Sequence, residues 1–377
     1  MADKERNALI PLPAGGLENI GSGPKSILSG MVSDALALVR MREKSLAAAR
    51  FRIGDYEFRD PDYRQILIWA KALGIDPEVF ISRLEDTPFD LHAGITTFEV
   101  VDGAIISLEW SFGIFPIASF EWVDGLSIKE LCFKGLQSAE ISLRLPLLNG
   151  LHCSGVGLTE IDLSNVPELT ELRCDKNQLA KLDLSKVPKL TELWCHENQL
   201  VELDLSTVPK LKRLICSYNK LAALDLEKVQ MLNMLECRYN PIFKLDLSKI
   251  PALIKLDCMS TKVSELDLSK VPALTELVCR FNPLVKLDLS KVPVLTKLWC
   301  SYNKLTKLDL SEVPELTELV CFSNKLVELD LSKVPELKNI FCNDNKIVEL
   351  DIRGLGQLRR LTCDPSVTLK KLPTQNF

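Results

Sequence analysis

A chain of 377 residues can hold two or three ordinary domains or one extended array. Its 46% apolar and 26% charged residues suit a folded protein and exclude an intrinsically disordered one. The net charge of -5 leaves no strongly basic face, which excludes nucleic acid and anionic membrane as expected partners.

In chain order, residues 1–24 are rich in Pro and Gly and are expected to be disordered. The N-terminus mixes both charge signs without a long apolar run, and no stretch approaches the 18 apolar residues of a membrane span. A cytoplasmic chain is therefore expected, with export by a disordered signal left open. Residues 25–94 read as a small helical domain. Ile27, Leu28, Met31, Val32, Ala35, Leu36 and Val39 recur at helical spacing. Asp60–Pro61 opens a second helix that Gly74 closes, and Asp76–Pro77 opens a third. A helical pair can bind DNA, but Arg83 stands against Glu78, Glu85 and Asp86, which would repel phosphate.

Residues 95–127 alternate as strands, with turns at Asp102–Gly103 and Asp124–Gly125. They are expected to cap the region C-terminal to them, with Trp110 and Trp122 packed inside the cap.

From residue 128 to 377 the chain repeats. The twelve cysteines stand 21 residues apart without exception, from Cys132 to Cys363. Neither disulfide frameworks nor zinc modules make an arithmetic series, whereas stacked repeats do. The unit reads L-x-x-L-x-C-x-x-N-x-L-x-x-L-D-L-S-x-V-P-x, as in LTELWCHENQLVELDLSTVPK at 190–210. Ten full units run from Leu148 to Gln357, and a partial one comes after them. A shorter first unit of 20 residues begins at Ile128 and puts Phe133 in the cysteine slot, so Cys132 joins the series by chance.

The first eleven positions resemble the leucine-rich repeat signature, with cysteine where leucine often sits. The length resembles the short, bacterial, internalin-like class. The resemblance covers about 230 residues and implies a β-rich leucine-rich-repeat solenoid, a horseshoe or right-handed superhelix with its parallel sheet on the concave face. Family members that are ubiquitin ligases carry a further large domain with its own cysteine. Here every cysteine lies in the repeat region.

Strand alternation sends positions 4 and 6 inward and 3, 5 and 7 outward. Cys195 and His196 therefore cannot meet as a catalytic dyad, and the cysteines are expected to be buried thiols in a reducing compartment. Asparagine at position 9 is expected to bond the turn backbone, with looser turns where Val156, Thr261 and Ser366 interrupt the ladder. Position 15 is aspartate in all ten full units. One carboxylate per unit falls short of the six to eight oxygens calcium needs, so a capping role is expected and no metal or cofactor. Proline at position 20 argues against a long convex helix.

Packing leaves the outward positions free, so function is sought there. Position 5 carries Trp194, Trp299 and Phe341, position 7 carries His196, Arg238, Arg280 and Phe322, and position 8 carries Tyr218, Tyr239, Phe281 and Tyr302. Arg213 joins them from position 3. Aromatics and arginine dominate protein interfaces, and twelve strands at about 4.8 Å span roughly 50 Å. The expected function is a non-catalytic scaffold binding a protein partner on this face. The alternative is a regulator or effector whose DNA-associated or enzymatic activity lies in the N-terminal helices, with the repeats as targeting module. Glu171, Glu192, Glu276 and Glu318 recur at position 3 but lie on open sheet, where no pocket would tune a catalytic acid. Oligomeric state is left open.

Overall fold

The computed structural model describes residues 50–53, 55–73, 76–78, 81, 95–102, 104–111, 123–134, 140–373 and 375. The expectations for residues 1–49, for most of the third helix including Arg83, Glu85 and Asp86, and for Trp122 and the Trp110 side chain lie outside these residues.

The repeat region builds most of a 14-stranded sheet. Each regular unit contributes three strand residues, such as Glu192–Trp194, paired in parallel with Arg213–Ile215 of the next unit. Every residue faces its counterpart 21 positions on: Leu193 faces Leu214, and Trp194 faces Ile215. This register is a consequence of the period. A slip of one residue would turn the leucines to solvent, at about 1.5–3 kcal/mol for each Leu unburied. Leu193, Cys195 and Leu200 are fully buried, and their equivalents are buried through the ten full units, while Leu361 and Cys363 of the last unit are half-buried. Phe133 lies in register with Cys153, is 3% exposed and fills the cysteine slot, while Cys132 pairs with His152 and is only half-buried.

The chain leaves each strand through a sharp turn at position 8, where the backbone is left-handed. φ is +52° at Glu197, +54° at Tyr218 and +55° at Phe281, and only Gly155 supplies the residue type that favours it. Asparagine at position 9 locks the turn. Asn219 donates from Nδ2 to the carbonyls of Cys195 at 2.9 Å and Cys216 at 3.0 Å, and its Oδ1 accepts from Leu200 N at 2.9 Å. One side chain thus satisfies buried groups of its own unit and the one before it.

The expectation of looser turns at Val156 and Thr261 is corrected. Gly155 and Ser260 keep the left-handed backbone, with φ +68° and +54°. The bonding changes instead: the Thr261 hydroxyl lies 3.0 Å from the Cys258 carbonyl and 2.8 Å from Asn282 Oδ1. Stacking between neighbours holds the backbone even where the asparagine is lost.

On the opposite side, Asp183 Oδ1 accepts from the amide of Ser185 at 2.8 Å, and the same bond recurs at Asp204, Asp267, Asp288, Asp309 and Asp330. This Asx turn opens two short turns, Val187 N to Leu184 O and Leu190 N to Val187 O, both 3.1 Å. Proline at position 20 stops anything longer, and the one regular helix on this side among the described residues is the 3-10 turn Leu247–Lys249.

At the N-terminal end, strand β1 (Arg50–Ile53) pairs antiparallel with β2 (Tyr56–Arg59), and helix α1 (Asp60–Leu73) begins at the next residue. β3 (Ile95–Val101) and β4 (Ala104–Ser111) form a hairpin whose β4 pairs in parallel with Glu130–Lys134. The hairpin thereby pairs with the first repeat's sheet edge. Residues 50–73 lie within the span 25–94 read as a small helical domain. These form a hairpin and a helix whose Phe58, Ile66 and Trp69 join the same core as Leu108 and Ile128. Asp62 is fully buried and accepts from Ile105 N at 3.0 Å and from Arg59 at 3.2 Å, which ties α1 to β4. Burial pushes the Asp62 carboxyl above its ordinary value despite these bonds.

The outward face of the sheet as candidate interaction surface

Alternation along three-residue strands places two outward side chains per unit, and the position 7 and 8 residues extend each row toward the turn. Neighbouring rows are one strand apart, so like positions stack along the array. Trp194 lies under Arg173, whose guanidinium carbon is 4.3 Å from the ring centroid, and Arg173 is held by Glu171 at 2.6 Å. His196 faces outward, with Nε2 3.5 Å from the Asp175 carboxylate. Its neighbour Cys195 points inward, away from His196, and burial raises that thiol well above its ordinary range.

Arg213 lies 3.8 Å from Glu192 and touches Met234. Arg238 reaches Asp257 at 3.4 Å and Glu236 at 4.0 Å. Asp257 is largely buried, which raises its carboxyl, while the Met259 amide and Arg238 act to lower it. Four buried polar atoms on three consecutive strands have no partner among the described residues: Trp194 Nε1, His196 Nδ1, Ser217 Oγ and Arg238 Nε. Each carries an unmet hydrogen-bonding demand of about 1–3 kcal/mol.

The rings at position 8 form two stacks. Tyr218 and Tyr239 lie 4.4 Å apart at 18°, and Phe281 and Tyr302 lie 4.2 Å apart at 12°. Ser260 separates the two stacks. Phe322 meets Tyr302 edge-on at 5.1 Å. The four stacked rings remain 39–44% exposed. Trp299 donates from Nε1 to Glu318 at 3.1 Å, and Phe341, beside Val320, is half-buried at the far end of the patch. The candidate residues thus fall into two clusters, one around Trp194 to Tyr239 and one around Arg280 to Phe341.

Sequence position alone does not single out Arg173, Asp257, Ser217 or Ser301. Arg173 is visible only through its place over Trp194, and the two serines only through their burial beside Arg238 and Arg280. Nor does sequence announce the left-handed turn, because one glycine in a column of mixed residues is a faint signal.

A parallel sheet of 21-residue units, leucines and cysteines inward and an asparagine ladder at the turn define the architecture: this chain folds as a leucine-rich-repeat solenoid of the short, 21-residue kind. Solved structures of that class are similar to it. The functional domain of InlJ from Listeria monocytogenes, described as including a cysteine ladder, is 29% identical over 70% of this chain and 68% of that one, with a TM-score of 0.56. YopM from Yersinia enterocolitica is 28% identical over 72% of this chain and 60% of that one, with a TM-score of 0.60. An internalin, InlF, from Listeria monocytogenes shares the fold at 19% identity over 82% of this chain and 92% of that one, with a TM-score of 0.65. No family model and no curated protein sequence matches the chain.

Proposed function

We propose that this chain is a non-catalytic scaffold that binds a protein partner along the outward face of its sheet. The observation that carries the reading is the backbone beneath the exposed rings. Position 8 demands positive φ, which costs a residue with a Cβ about 1 kcal/mol, yet aromatic residues occupy it at Tyr218, Tyr239, Phe281 and Tyr302. Local stability would favour Gly or Asn there, so bulky rings held in this conformation and left open to solvent speak for contact with another molecule. The acids that resemble a catalytic set are already engaged. Glu276 lies 3.2 Å from Lys255 and 3.1 Å from Lys297; burial acts to raise its carboxyl, but the two ammonium groups outweigh it and the net shift is downward. The buried neutral thiols suit a reducing, cytoplasmic setting.

The test is a differential pull-down from lysate of the native cell. Wild type is run beside a Trp299→Ala, Phe322→Ala, Phe341→Ala variant whose fold is verified by circular dichroism. A protein retained by wild type and lost by the variant is the expected result. Identical retention by both would overturn the assignment to this face.

A further inference from the structure

We infer that Arg280 and the rings around it form a receptor for an Asp or Glu carboxylate carried by an extended, apolar segment of the partner protein. The inference rests on the proposed binding face and names what one part of it recognises.

At outward positions 3, 5 and 7 between Glu171 and Phe341, the cations are neutralised within the face. Arg173 pairs with Glu171, Arg213 with Glu192, Arg238 with Asp257, and Lys255 and Lys297 share Glu276. Arg280 alone among them has no carboxylate at ion-pair distance in the described residues. Its Nε is committed to the fully buried Ser301 hydroxyl at 2.8 Å, which fixes the direction of the side chain. Its guanidinium carbon lies 5.5 Å from the Phe281 ring, 5.9 Å from Trp299 and 5.5 Å from Phe322. The two terminal nitrogens make no hydrogen bond to the described residues, and Arg280 is partly exposed.

A guanidinium whose Nε is already anchored presents a planar pair of donors that match a carboxylate's two oxygens. The surrounding rings exclude water, strengthening a charge-assisted bond while offering apolar flanks to neighbouring side chains. Charge decides between a carboxylate and a phosphate. One free cation matches one negative charge, whereas Asp257, whose field reaches Arg280, would repel a dianion. Asp257 itself does not occupy the fork, because Arg238 and the Met259 amide at 3.0 Å already hold it.

The probe is a randomised nine-residue display library that includes phosphoserine at one coded position, panned on the full chain. Wild type is compared with Arg280→Gln, Arg280→Lys and a Phe281→Ala, Trp299→Ala, Phe322→Ala variant, each checked for native circular dichroism. Wild type is expected to enrich Asp or Glu flanked by apolar residues. For the selected peptides, Arg280→Gln should weaken binding roughly 10- to 100-fold, and Arg280→Lys, which keeps the charge but not the fork, should still lose several-fold. Enrichment that the ring variant abolishes but that shows no acidic preference overturns the carboxylate inference and leaves the binding face standing. Phosphoserine preferred over Asp and Glu also overturns it. Equal enrichment by wild type and the ring variant overturns both readings.

Discussion

Replacing Asn219 by Ala should destabilise the array by about 1–3 kcal/mol. Asn219 is 8% exposed, so solvent cannot take over its bonds. Its removal strips the Leu200 amide of its acceptor at 2.9 Å, while the carbonyls of Cys195 and Cys216 each keep a second donor, Asn198 at 3.1 Å and Asn240 at 3.0 Å. A buried orphan N–H costs about 1–3 kcal/mol, and carbonyls that keep one donor add little. The Ser217 carbonyl does not add to the sum, because it also accepts from Glu197 N at 2.9 Å. Each repeat contacts its neighbours only, so the damage should be local. The assay is urea unfolding monitored by circular dichroism, with hydrogen exchange read at the Leu200 amide against the Leu305 amide, whose acceptor Asn324 is untouched. Faster exchange is expected at Leu200 alone. A loss under about 1 kcal/mol with unchanged protection at Leu200 would refute the account of the ladder as a shared bond between units.

Thr261→Asn should act in the opposite sense. It offers an acceptor to Ile242 N and frees Asn282 Oδ1 for Val263 N, raising the urea midpoint by the equivalent of about 1–3 kcal/mol; an unchanged or lower midpoint counts against it. The cysteine column makes the protein sensitive to alkali. Desolvation raises the ten buried thiols above the ordinary 9.0, Cys216 and Cys342 to about 12. A folded value above the unfolded one gives stabilisation that is full below pH 9 and lost as pH climbs toward 12, about 1.4 kcal/mol per pH unit for each thiol; a melting temperature flat from pH 8 to 10.5 would contradict this. The Asx aspartates act at the acid end. The Ser311 amide and hydroxyl hold the Asp309 carboxyl below its ordinary 3.8, and Asp351 falls to about 2 beside Arg353. Their contribution is present above pH 4 and disappears as pH falls toward 2, so the melting temperature should drop in that window, and constancy there would exclude them as a source of stability.

The repeat was legible because its causes are local and recur: an inward leucine or cysteine must return whenever the strand does, and Phe133 betrayed the shorter first unit by size and spacing. The same reasoning placed helix α1 between Asp60 and Leu73, since proline and glycine mark its ends. It missed β1 and β2, whose RFRI and YEFR segments are only four residues each and whose Ile53 and Phe58 are buried in the core shared with residues far along the chain. It also missed what the candidate surface is made of in detail. Which rows held aromatic residues could be read, but not that position 8 turns left-handed, that Ser260 parts the rings into two stacks, or that Arg280 is left without a counter-ion. Those properties belong to pairs of residues 19 or 21 apart, and they depend on rotamers that periodicity does not encode.

The gap at Ser260 has an evolutionary reading. Because every unit bonds its neighbours in the same register, loss or duplication of 21 codons leaves a foldable chain with both ladders intact. Deleting the one unit that carries Ser260 would bring Tyr239 beside Phe281 and fuse the two stacks into a continuous ribbon of four rings. A lineage of such proteins could therefore change the length and spacing of its aromatic contacts in whole steps, by unequal recombination, without passing through an unfolded intermediate.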